Sequence, residues 1–281
     1  MINLALAMLS SMMVSFTMRL SEGRTKNNIS MLATNYAMCA VLSVLYAGSL
    51  ALPQGAQGVG FTVGWGVLTG AMYLAGFLLL QWNIYKNGVV LPATFMKLGV
   101  VVPTVLSIVA FGEMPSALQV AGVVLAVVAI VMITTGKADA SGGKAGSMLG
   151  LIALLLCGGL TDFTSKIYEE TGNAALSDHY LLFTFCAALL LCALLAVFKK
   201  QKLALRDVGF GMLIGVPNYY SARFLLASLS SVPAVVAYPT VNVGTIVLVT
   251  LCGMLVFGER LTRRQWTALC VILAALVLLN L

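Results

Sequence analysis

Charge is what this sequence most lacks. Its 281 residues include only 16 Lys and Arg and nine Asp and Glu, 9% of the chain, against 60% hydrophobic residues. A soluble domain needs about a quarter of its residues charged, so soluble globular and disordered classes are both excluded. Histidine is almost missing as well: His179 stands alone, near a predicted helix end, and is expected to be an interfacial residue. With no His-Glu-x-x-His and no Gly-x-Ser-x-Gly, the chain lacks the parts of a zinc protease or a serine hydrolase, and no catalytic residue is expected. The six cysteines (Cys39, Cys157, Cys186, Cys192, Cys252 and Cys270) lie in apolar stretches without a Cys-x-x-Cys pair. No disulfide framework, metal site or cofactor is therefore expected. The net charge of +7 has no aromatic-interleaved basic patch behind it, so no nucleic acid is expected either.

Long apolar runs fill the space left by these absences. A hydrocarbon core about 30 Å thick needs about 20 helical residues per crossing, whereas strands would show alternating runs of about ten. The uninterrupted runs predict helices over 3–20, 31–51, 60–82, 88–111 and 116–135, then over 147–168, 180–198, 208–230, 233–257 and 263–280. Met1 to Met18 has no positive residue ahead of its apolar run, so it reads as the first helix rather than a cleavable signal. The short loops leave no room for a soluble domain among these runs. Function is expected inside the bilayer.

The chain also repeats itself. Phe111-Gly112-Glu113-Met114-Pro115-Ser116-Ala117-Leu118-Gln119 recurs as Phe257-Gly258-Glu259-Arg260-Leu261-Thr262-Arg263-Arg264-Gln265, 146 residues later. Gly66 and Gly70 match Gly211 and Gly215, and Pro92-Ala93-Thr94 matches Tyr238-Pro239-Thr240. The expected organisation is a first repeat over 1–136, a cytoplasmic linker over 137–146 and a second repeat over 147–281. Five helices per repeat is an odd number, so the second copy enters the membrane from the opposite face. The fold class expected is therefore all-α integral membrane, with ten transmembrane helices as two five-helix inverted repeats, an architecture of alternating-access carriers. Within the repeated motif, Ser116 with Gln119 and Thr262 with Gln265 fit capping boxes starting the fifth helix of each repeat. Glu113 and Glu259 would then sit beside those helix N-termini, where the dipole favours a carboxylate.

On the doubled Phe-Gly-Glu, the following Ser/Thr and Gln, and the five-plus-five plan, the sequence resembles the EamA-type permeases of the drug/metabolite transporter superfamily. The resemblance implies a multi-pass plasma (inner) membrane carrier of small metabolites, often an exporter. It also implies a pocket between the third and fourth helices of one repeat and their counterparts in the other.

Thirteen of the 16 basic residues, from Arg19, Arg24 and Lys26 to Arg260, Arg263 and Arg264, fall in loops of one parity, and only Lys166 lies towards the other face. Since positive residues in short loops stay cytoplasmic, both termini are expected outside. Two cations sit within predicted spans instead: Lys97 in the fourth and Arg223 in the eighth. Each costs about 2.5–3.5 kcal/mol at the bilayer centre unless hydrated or paired. Asp162, the acid at mid-membrane, stands four residues before Lys166 on one helix face, which gives it a local partner. Two deep cations with at most one shared carboxylate predict a net positive cavity for a cargo carrying a carboxylate or phosphate.

Tyr219 one turn before Arg223, Asn218 beside it, Asn242 level with Lys97 in the repeat, and Tyr73 in the third helix complete the expected binding set. Asp162 is the candidate coupling residue, although Lys166 should keep it charged. The expected partners are a small-molecule metabolite and the lipid bilayer, with a second copy of the chain as a candidate homodimer partner. Pro92, Pro103, Pro217, Pro233 and Pro239 mark kinks or hinges, and Gly60/Gly64, Gly66/Gly70 and Gly211/Gly215 mark close helix contacts. A carrier of neutral or cationic amino-acid or drug-like compounds is the alternative substrate class. An intramembrane enzyme lacks its catalytic groups, and a channel lacks a filter loop.

Overall fold

A computed structural model describes residues 1–21, 24–47, 57–87, 90–135, 148–201, 204–257 and 263–281. All regular structure among them is helical. The helices are α1 (Ile2–Ser21), α2 (Asn28–Ala47), α3 (Val59–Asn87), α4 (Val90–Leu98), α5 (Val101–Phe111), α6 (Ala117–Thr135) and α7 (Met148–Thr171). After a 3-10 turn at Ala174–Leu176 come α8 (Ser177–Phe198), α9 (Leu205–Leu229), α10 (Ala234–Phe257) and α11 (Arg263–Leu279). The expected linker over 137–146, together with Glu259 and Thr262, lies outside the described residues, as do the Gln265 side chain and the basic residues Lys137, Lys144, Lys202 and Arg260.

Among the described residues each predicted run is essentially helical, but the run over 88–111 is two helices. Pro103 has no N–H to return to the Gly99 carbonyl, which takes the N–H of Val102 at 3.0 Å instead. Gly99 also abuts Gly159 of α7 backbone to backbone, leaving no room for a side chain on either. A missing donor and a tight crossing thus end α4 at Leu98, one residue after Lys97. The other prolines disrupt less. Pro92 lies in the first turn of α4 and Pro233 just ahead of α10, where a missing N–H costs nothing, while Pro217 and Pro239 sit inside continuous helices.

Six helices, α1, α2, α3, α7, α8 and α10, are long and apolar enough among the described residues to cross a bilayer. The 25-residue α9 is long enough too, but its polar centre from Asn218 to Arg223 keeps it out of that group. Large apolar side chains such as Leu149, Val109 and Leu255 are almost fully exposed, which suits lipid and not water. Inside, hydroxyls return to their own helix: Ser43 to the Cys39 carbonyl, Thr104 to Val100 and Thr184 to Tyr180, each at 2.8 Å. Such bonds satisfy polar groups where no water is available.

The chain forms two compact units, each drawing on both ends of the sequence. One comprises 1–74 and 167–230, the other 75–166 and 231–281. In the first, α9 packs on α1 and α2, and α8 on α2. Gly66 and Gly70 of α3 lie against the backbone of α8 at Tyr180 and Thr184, and Gly211 and Gly215 of α9 lie against α2 at Met31 and Asn35. Gly60 and Gly64, expected at a contact, face open space instead. The fully buried Asp207 accepts the N–H of Lys26 at 2.8 Å, just ahead of α2.

A methyl group at Gly211 would drive into Thr34 Oγ1 and the Met31 carbonyl oxygen. Gly211→Ala is therefore expected to lower stability by about 1–3 kcal/mol through overpacking. Gly64→Ala, with nothing within 4 Å, should be neutral or gain about 0.5–1 kcal/mol of helix propensity. Thermal unfolding of the two purified variants checks the contrast, and equal midpoints would refute it.

In the second unit α6 packs on α4 and α11, and α10 on α5 and α11. Asn83 of α3 donates to the Gly150 carbonyl of α7 at 2.9 Å. Gly112, at φ 66°, ends α5 by giving its N–H to Ile108. The expected capping box is present at Ser116, whose Oγ accepts the Gln119 N–H at 3.2 Å while Gln119 Oε1 accepts the Ser116 N–H at 3.0 Å. Glu113 does something else. Its two oxygens accept the N–H groups of Ala234 and Val235 at 2.9 and 3.0 Å, so it caps α10 and not its own following helix. Lys166 of α7 pairs with the same carboxylate at 3.2 Å and lies 5.7 Å from the Phe111 ring centroid.

Candidate functional site

Arg223 is the centre of the first unit's polar cluster. It projects from the last third of α9, which ends at Leu229. Its Nη1 donates to Tyr219 Oη at 2.9 Å, one turn back, and to Asp178 Oδ1 in an ion pair. The face of Tyr46 lies 4.2 Å from the guanidinium carbon, a stacking that suits a planar cation. Tyr46 is itself hydrogen-bonded to Tyr220 at 2.8 Å. These contacts fix the guanidinium plane but occupy one nitrogen. Among the described residues, Nε and Nη2 of Arg223 and Oδ2 of Asp178 make no hydrogen bond.

Beside this pair opens a cavity of 310 Å³, lined by Tyr168, Glu169, Ser177, Asp178, Arg223 and Ser230 with Leu181 and Leu226. Its wall is rigid. Tyr168 stacks on Tyr180 with ring centroids 4.0 Å apart, and their hydroxyls bond Thr62 and Thr69 of α3 at 3.2 and 3.0 Å. Arg223 and Asp178 keep 27% and 34% of their side-chain surface exposed, enough for a ligand to reach both.

The expected binding residues divide between the units. Tyr73, Asn218, Tyr219 and Arg223 belong to the first, where Tyr73 stacks on Tyr36 and Phe185, and Phe185 leads to Tyr219. Asn218 gives its amide to Asn35 Oδ1 at 3.2 Å and so helps join α9 to α2. Lys97, Asn242 and Asp162 belong to the second. Lys97 is half-buried in the last turn of α4, within electrostatic reach of Asp162 of α7. Tyr238 of α10 donates to the Asp162 carbonyl, and Asn242 returns to the Tyr238 carbonyl at 3.2 Å.

The partners of the acids differ from those expected: Lys166 pairs with Glu113, Asp162 is within electrostatic reach of Lys97, and Arg223 pairs with Asp178. Asp178 stands in the first turn of α8 and Arg223 near the far end of α9; antiparallel neighbours place these two ends at one level. His179 is buried, with neither ring nitrogen hydrogen-bonded among the described residues. Glu169, Ser177 and Ser230 were not anticipated either. Their one signal is that they border the loops at the same end as Asp178.

Comparison with known proteins follows the same lines. Residues 144–281 match the model of the EamA-like transporter family. A protein of uncharacterised function from Haemophilus influenzae is 25% identical over 204 residues, covering 71% of this chain and 69% of its own. A crystal structure of another protein shares the fold, with a TM-score of 0.72 at 13% identity over 99% of this chain and 98% of that one. Many apolar helices, a lipid-suited surface and the family match make this a multi-pass membrane protein, whose residues 144–281 are similar to the EamA-like transporter family.

Proposed function

We propose that this chain is a secondary carrier that moves a small metabolite bearing a carboxylate or phosphate by alternating access, with Arg223 as the anchor of the anionic group. The observation that carries the reading is the free edge of Arg223 beside the 310 Å³ cavity. Nε and Nη2 form the side of the guanidinium that takes an anion in a bidentate grip. The inverted repeat is supported by a contact made twice: the third helix of each half sets its glycine pair against the second helix of the other half, Gly66/Gly70 on α8 and Gly211/Gly215 on α2. The cavity lies at the ends of α8 and α9 opposite to Lys199, Lys200 and Arg206, so by the positive-inside rule it opens away from the cytoplasm.

A metabolite screen by thermal shift on the purified protein identifies the cargo, because a ligand stabilises the fold it binds. Counterflow of that cargo in proteoliposomes then tests the mechanism. Saturable flux accelerated by cargo on the far side is expected. Linear flux would make the protein a channel, and covalent change of the cargo would make it an enzyme.

A further inference from the structure

The cavity does not offer a positive charge alone. Arg223 shares it with Asp178, and Glu169 lines it from the end of α7. The Asp178 carboxylate beside the guanidinium repels a simple anion approaching Arg223, and an anion that brings its own positive group offsets that repulsion. Asp178 has its Oδ1 on Arg223 and its Oδ2 without a hydrogen bond among the described residues, while Arg223 has its Nε and Nη2 edge free. A donor edge and an acceptor oxygen held side by side by one ion pair match a ligand with the complementary pair.

We propose that Asp178 is a specificity-determining residue: with Arg223 it selects a small zwitterion, the anionic group on the Arg223 edge and an ammonium group on Asp178, over an anion of the same shape. This rests on the reading of Arg223 as the anion anchor. The Ser177 and Ser230 hydroxyls lie in the same lining and suit either polar group, and Leu181, Leu226 and the Tyr168 ring take the apolar remainder of the cargo.

The test uses matched probes on the full-length purified protein: leucine, 4-methylpentanoate and 3-methylbutylamine, and with them phosphoethanolamine, ethyl phosphate and ethylamine. Binding is read by isothermal titration on the wild type, Asp178→Asn and Asp178→Glu. In at least one set the zwitterion is expected to bind the wild type about tenfold more tightly than its bare anion, as one charge-assisted contact implies. Asp178→Asn should erase that preference, weakening the zwitterion and strengthening the anion. Asp178→Glu, which keeps the charge, should retain it and shows that the site tolerates substitution.

A wild type that prefers the bare anion, or a preference unchanged in Asp178→Asn, overturns the role of Asp178 and leaves the anion anchor standing. If Asp178→Asn does not fold, loss of the preference in Asp178→Glu overturns it equally. Failure of all six probes on wild type and variants alike overturns the Arg223 reading beneath it.

Discussion

Arg223→Met is expected to abolish saturable transport of the cargo while the protein still inserts and folds. The side chain supplies a pair of unoccupied, charged donors beside the cavity. Two hydrogen bonds to a charged group contribute about 1.5–3 kcal/mol each, so their loss weakens binding by roughly a hundredfold or more. The fold should survive, because Asp178, left without its cation, keeps a third of its surface open and can be hydrated.

Arg223→Lys separates charge from geometry. An ammonium restores attraction but cannot grip an anion with two parallel donors, nor stack its plane on Tyr46. It should bind the cargo weakly and transport it at a small fraction of the wild-type rate. Tyr219→Phe removes one acceptor from Nη1 and leaves the free edge in place, so its effect should be the smallest of the three. Proteoliposome flux at matched protein incorporation measures all three. Wild-type flux in Arg223→Met would leave the anchor without support.

How far the sequence led can be judged residue by residue. Apolar runs reported helix positions closely, since lipid demands them of each span separately and no partner is needed to see them. The Ser116 capping box was equally visible, being a contact between residues three apart. Contacts between distant residues were not. Asp178 and Arg223 meet because α8 and α9 run antiparallel, and nothing in either helix names the other. Glu113 was expected beside its own following helix, but reaches α10 instead. The break after Leu98 lay between the two cases. Pro103 signalled it, whereas the approach of Gly159 to Gly99, which holds the break against α7, belongs to tertiary packing.

Lys166→Met carries a large stability prediction, because it strips the cation from a carboxylate that holds a helix in place. Glu113 and Lys166 are only 12% and 3% exposed, so neither charge is rescued by solvent. Breaking a buried pair from one side costs about 3–5 kcal/mol, and at about 2–4 °C per kcal/mol for a chain of roughly this size the melting midpoint should fall by roughly 10 °C. Glu113 would keep the N–H groups of Ala234 and Val235, and this contact with the positive end of the α10 dipole moderates the loss.

Glu113→Gln should be at least as damaging. Its amide oxygen can still accept from one N–H of α10, but the buried carboxylate that Lys166 meets at 3.2 Å is gone. The decisive measurement is the double variant. Met at 166 and Gln at 113 leave neither charge stranded, so the double change should cost less than the sum of the single ones by about 0.5–3 kcal/mol. Strict additivity would mean that the two side chains stabilise the fold independently. Glu113 would then be a helix cap alone, and the junction of the α5–α6 loop, α7 and α10 would not depend on the ion pair.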